Sequence, residues 1–111
     1  MLSIAGDREI FLYLPPTDMR KSFHGLCSII YAQAGNPSSG AYYVFVNAPK
    51  THVKILFRDG DGLVIYYKRL EKGTFSLPKT YGHKVNLSRR ELAMLLEGIE
   101  PLKMKQRFSK Y

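Results

Sequence analysis

VKILFRDGDGLVIYYKRL, Val53 to Leu70, decides how this chain folds. Two runs rich in β-branched and aromatic residues flank the tetrad Asp59-Gly60-Asp61-Gly62. The tetrad has the look of a metal or phosphate loop, and its flanks argue against both. A calcium loop sets oxygen ligands at several positions and ends in a bidentate Glu, whereas Leu63 and Ile65 follow here. A Walker loop runs through Lys-Ser/Thr into a helix, whereas a strand follows here. A turn suits the residues better: Asp accepts from nearby backbone N–H groups and Gly permits positive φ. Val53–Arg58 and Leu63–Leu70 are therefore the arms of an antiparallel hairpin.

Working outward, EIFLYL (Glu9–Leu14) reads as a first strand ended by Pro15-Pro16, since proline supplies no ladder donor. PTDMRK is a turn into a helix, with Thr17 or Asp18 as its cap. In SFHGLCSIIYAQA, Phe23, Leu26, Ile30 and Ala34 recur at helical spacing with Cys27 beside them. Gly25 within it suits close packing. GNPSSG (Gly35–Gly40) is a loop, AYYVFVN (Ala41–Asn47) a strand, and EKGTFSLPKTYGHK a mixed strand-and-loop passage. Near the C-terminus Ser88 and Glu91 fit a capping box, with Leu87 stapled on Leu92. Leu92, Leu95, Leu96 and Ile99 form the apolar stripe of that helix, and Gly98 and Pro101 mark its stop. The fold class is α+β: a small antiparallel β-meander with one helix after the first strand and one near the C-terminus. Residues 1–101 form a single domain and residues 102–111 a basic tail.

A chain of 111 residues suits one small core. Its formal charge of +8 is uneven, with +1 in residues 1–50 and +7 in residues 51–111. Such a half attracts a polyanion, DNA or RNA above all, although an anionic membrane or an acidic protein feels the same field. The single Cys27 rules out an internal disulfide framework. The N-terminal residues lack a signal-peptide pattern, and no apolar run reaches the eighteen residues of a membrane span. The cytoplasm, in contact with the nucleoid, is the expected location.

Enzyme chemistry finds little support. His24, His52 and His83 lie far apart and lack metal-ligand spacing. Cys27 beside the apolar stripe reads as structural, and no acid cluster is available for Mg²⁺. No cofactor is expected. The candidates that remain are basic. Arg20 and Lys21 stand at the start of the first helix, an odd place for cations given its dipole. Lys54 shares a strand face with Leu56 and Arg58. Tyr66 or Tyr67 beside Lys68 and Arg69 suits ring stacking and phosphate contact, the alternative being half-buried strand formers. Neither face of that arm is cleanly polar, so both are expected to be covered, one by a helix and one by a partner. Lys50 and His52 lie in a loop. Arg89 and Arg90 open the last helix, where an N-terminus and two guanidinium groups suit phosphate, or form a plain solvated pair. Lys103, Lys105, Arg107 and Lys110 in the tail add salt-dependent affinity.

TDMRKSFHGL, SGAYYVFVN, KILFRDGDGLVIYYKRLEKGTFSLP and VNLSRRELAMLLEGIE, in this order, resemble the TnpB accessory proteins of the IS sixty-six family of bacterial insertion sequences. These are distinct from the RNA-guided nucleases that share the name. The resemblance covers roughly Ile10 to Ile99. The family's recurrent positions fall on Asp18, Met19, Arg20, Lys21, Gly25 and Leu26, on Lys54, Asp59, Gly60, Gly62 and Leu63, and on Tyr66 through Glu71, Gly73 and Phe75. The chain departs from the pattern at Ser22, where Gly is common, and at Phe57-Arg58, where Trp is frequent. Its basic loop around Lys50 is also thinner, with Thr51 and His52. The resemblance implies a non-enzymatic accessory protein of transposition that binds element DNA, assists a DDE-type transposase, or both; the alternative is an assembly module with no DNA contact. DNA and the transposase are the implied partners, with a homo-oligomer possible and no membrane.

Overall fold

The computed structural model describes residues 6–97. Seven elements follow one another: β1 (Ile10–Tyr13), α1 (Phe23–Ala32), β2 (Tyr42–Val46), β3 (His52–Asp59), β4 (Gly62–Arg69), β5 (Lys84–Asn86) and α2 (Arg89–Leu96). The strands form one open sheet in the order β4-β3-β2-β1-β5.

The decisive stretch folds as its residues dictate. Asp59 pairs with Gly62 across a two-residue turn, and the ladder continues to His52 opposite Arg69. Gly60 opens the turn at φ 61°, a conformation that glycine adopts without a Cβ penalty. With β2 antiparallel to β3, β2–β3–β4 is the expected meander. β1 joins it parallel to β2, because α1 carries the chain back across the sheet before β2 begins. β5 closes the other side, antiparallel to β1. Between β4 and β5 the passage expected as mixed strand and loop is almost all loop, tied down by buried Phe75, whose N–H donates to the Lys50 carbonyl at 2.7 Å.

Side-chain alternation divides the core in two. On one face Ile10, Leu12, Tyr42, Val44, Val46, Val53 and Ile55 meet Phe75, Leu87 and the α2 stripe Leu92, Leu95 and Leu96. On the other, Tyr13, Tyr43, Phe45 and Leu56 pack with Leu26 and Ile30 of α1. Both faces of β4 lean on these clusters, Tyr66 on the α2 side and Leu63 and Ile65 on the α1 side. Part of the cover expected on each face therefore comes from the chain itself, while Val64 and Tyr67 stay exposed.

α2 starts as expected: Ser88 Oγ accepts from Glu91 N–H at 3.0 Å and the Glu91 carboxylate accepts from Ser88 N–H at 2.9 Å. Its expected continuation through Gly98, Ile99 and Pro101 lies outside the described residues. The cap of α1 is corrected: it is Ser22, not Thr17 or Asp18, and its side chain makes no capping bond. Thr17 N–H is committed to the Val46 carbonyl, and the Asp18 carboxylate to Arg20. Both belong to the turn before the helix. A Cβ at Gly25 would stand 3.0 Å from the Lys21 side chain, so the glycine does serve close packing.

Candidate nucleic-acid interface

The turn at Thr17–Lys21 is built around a lysine from another element. Lys54, in the middle of β3, is only 8% exposed. Its Nζ donates to the carbonyls of Met19 at 2.8 Å and Lys21 at 2.7 Å and lies 4.7 Å from the Tyr67 ring centre. A buried ammonium needs such partners, because removal from water without them costs several kcal/mol. Two charged hydrogen bonds and a cation–π contact thus fix the entry to α1 against the sheet.

Arg20 and Lys21 project from this entry, both exposed. Arg20 forms a fork on Asp18, with Nη2–Oδ2 at 2.6 Å and Nε within 3.1 Å of both carboxylate oxygens. The Arg20 N–H also donates to Oδ1 at 2.9 Å. Asp18 thereby answers the mismatch of a cation at the positive end of a helix. Hydrogen bonding from the Arg20 side chain, then from its backbone N–H, holds the Asp18 carboxyl down at about 2, from an ordinary 3.8. Because the folded value lies below the unfolded one, this pair's contribution is complete above about pH 4 and fades as pH falls through about 2. Following the Asp18 carboxyl carbon by NMR through an acid titration should therefore give a midpoint near 2. Arg20→Ala should return it toward 3.8, and a midpoint near 3.8 in the wild type would mean that the fork does not form in solution.

β-sheet alternation splits the Tyr66–Arg69 run. Tyr67 and Arg69 share the α1 side with Lys54, while Tyr66 and Lys68 face α2. Tyr67 is 51% exposed, its ring 5.9 Å from that of His52. Asn47 Nδ2 and Thr51 Oγ1 hold His52 Nδ1 at 3.0 and 2.7 Å. Arg69 is exposed opposite His52. Tyr66 packs on the α2 core cluster. Lys68 Nζ donates to the Leu96 carbonyl at 2.6 Å, placing a cation on the negative end of α2. Arg89 and Arg90 are exposed in the first turn of α2. Lys103, Lys105, Arg107 and Lys110 lie outside the described residues.

The sequence-predicted residues therefore divide between the two faces of the sheet. Arg20, Lys21, Lys54 and Arg69 gather on the α1 side; Tyr66, Lys68, Arg89 and Arg90 belong to the α2 side. Tyr67 is the exposed ring of the tyrosine pair. Its assignment follows from parity with Lys54, a signal the sequence carries only once the hairpin register is fixed.

Burial pushes the Cys27 thiol up, away from a reactive thiolate. Among the described residues no group of three or more His, Cys, Asp or Glu side chains is placed to hold a metal ion. No described helix is long and apolar enough to cross a membrane.

The family described as IS66 Orf2 like protein matches residues 8–106. Two relatives come from Sinorhizobium fredii. The uncharacterised protein y4hO is 30% identical over 101 residues, 90% of this chain and 88% of the relative. The uncharacterised protein y4jC is 25% identical over 108 residues, 96% of this chain and 92% of the relative. No solved structure matches.

Proposed function

Because the chain belongs to the IS66 Orf2-like family of non-enzymatic transposition accessory proteins, we propose that it binds the DNA of its element through the α1 side of the sheet. One observation carries this reading: buried Lys54 ties the Arg20–Lys21 turn to β3, beside the paired strand β4 that presents Tyr67 and Arg69. The result is a rigid display of cations around a half-exposed ring. Guanidinium and ammonium groups neutralise phosphates, and a tyrosine face accepts an unstacked base. Recognition of this kind is strong at low salt and tolerant of sequence. Unpaired or distorted DNA, as at the ends of a mobile element, would use the ring as well as the charge.

Fluorescence anisotropy across a salt series tests it, with element-end DNA and random DNA as ligands. Wild-type affinity should fall steeply with salt. Arg20→Gln with Lys21→Gln should flatten the log–log slope by up to about 2, roughly one for each phosphate that is no longer neutralised. No association at low salt, or an unchanged slope in the double variant, would overturn the reading. Association seen only with the transposase present would favour the assembly-module alternative.

A further inference from the structure

β4 is an edge strand of eight residues, and its outer side has no partner strand among the described residues. Natural edges are usually short, bulged or charged along their length. Here Gly62 through Tyr67 carry no charge, and Val64 and Tyr67 are exposed at 37% and 51%. We propose that this edge pairs antiparallel with the same edge of a second copy, joining two five-stranded sheets into one of ten strands.

The hydrogen-bond pattern sets which groups are available. The two-residue turn makes Asp59 and Gly62 a hydrogen-bonded pair. The bond from Leu70 N–H to the Thr51 carbonyl keeps the same phase at the far end. Gly62, Val64, Tyr66 and Lys68 therefore spend their backbone groups on β3. Leu63, Ile65, Tyr67 and Arg69 direct theirs outward.

A two-fold axis normal to the sheet keeps each copy's α1 face on one side, so facing residues must share parity. With the axis at Ile65, the outward groups meet in register: Ile65 with its counterpart, Leu63 with Tyr67, and Asp61 with Arg69. On the α2 side, Val64 faces Tyr66 and Lys68 faces Gly62, so nothing displaces Lys68 from the Leu96 carbonyl. Charge selects this register. It sets Asp61 against Arg69 at both ends of the seam, whereas moving the axis to Tyr66 sets Asp61 against Glu71. It pairs Gly62–Lys68, as many residues of β4 as the Tyr66 axis pairs and more than an axis at Val64, which pairs only Gly62–Tyr66. A second copy suits the edge better than the chain's own C-terminal residues, because Leu102–Tyr111 carry four cations and no acid, a poor match for an edge that ends in Lys68 and Arg69.

Sedimentation of the full chain tests this pairing. A species of twice the 12.7 kDa chain mass is expected. Asp61→Arg and Arg69→Asp should each weaken the dimer about tenfold by opposing like charges at two places. Combining them should restore wild-type association, which loss of folding in either single variant would not mimic. Amide exchange at Leu63, Ile65, Tyr67 and Arg69 should slow as protein concentration rises. A monomer at all concentrations would overturn the proposal, whether those amides exchange freely (a bare edge) or are protected independently of concentration (an edge covered by the chain's own tail). So would a dimer indifferent to both single substitutions, which must use another surface. Because the readout is mass, the outcome does not depend on whether the chain binds DNA.

Discussion

Phe45→Ala is expected to lower folding stability by about 3–5 kcal/mol. Phe45 lies in β2, the middle strand of the five, and is fully buried. Its ring stacks on Tyr13 at 5.0 Å between centres with 4° between planes, and its cluster contains Leu26, Ile30 and Leu56. Truncation removes the transfer energy of the ring and opens a hole between sheet and α1 that a parallel-plus-antiparallel ladder on both sides cannot close. A small domain has only about 5–15 kcal/mol in total, so the variant should unfold at a much lower urea concentration, with an unchanged slope if its unfolded state is unaltered. Urea titration followed by circular dichroism measures both. A loss under about 1 kcal/mol would mean that α1 settles onto the sheet without this ring.

The hairpin, the α2 cap and the apolar stripes were legible because each is written in neighbouring residues. Asp59–Gly62 forces a reversal, Ser88 and Glu91 reach each other one turn apart, and Leu92, Leu95 and Leu96 repeat at helical spacing. The parallel pairing of β1 with β2 was not legible, because nothing in EIFLYL or AYYVFVN names a partner; α1 between them decides the direction. The cap of α1 was misplaced for a related reason. Asp18 has the chemistry of a cap, yet Arg20 two residues on competes for its carboxylate and wins. For the candidate site, residue type singled out the cations and said little about their neighbourhood. Tyr66-Tyr67-Lys68-Arg69 is contiguous in the chain and divided by the sheet. Lys54 looked like a surface cation in an alternating strand, since its carbonyl partners lie 35 and 33 residues earlier.

That burial makes Lys54→Met the substitution most able to separate shape from charge, with an expected loss of about 1–3 kcal/mol. Methionine retains most of the apolar stem, so the packing against Tyr67 survives in part. What goes is the donor: the Met19 and Lys21 carbonyls lose their charged partner and Tyr67 loses its cation. Relief from burying an ammonium offsets some of this, which keeps the figure below that for a core cavity. Lys68→Met, which removes one charged hydrogen bond rather than two, should cost less. Urea titration ranks the two, and a Lys54 variant as stable as wild type would show that the turn holds itself. The functional consequence is sharper than the energetic one. Both variants remove one positive charge, so simple electrostatics predicts equal losses of DNA affinity. If the Lys54 anchor is what sets Arg20 and Lys21 at a fixed distance from Tyr67 and Arg69, Lys54→Met should weaken binding more than Lys68→Met. Faster amide exchange across Thr17–Ser22 should accompany the loss. Equal losses would reduce the interface to net charge and remove the reason for a buried lysine to serve it.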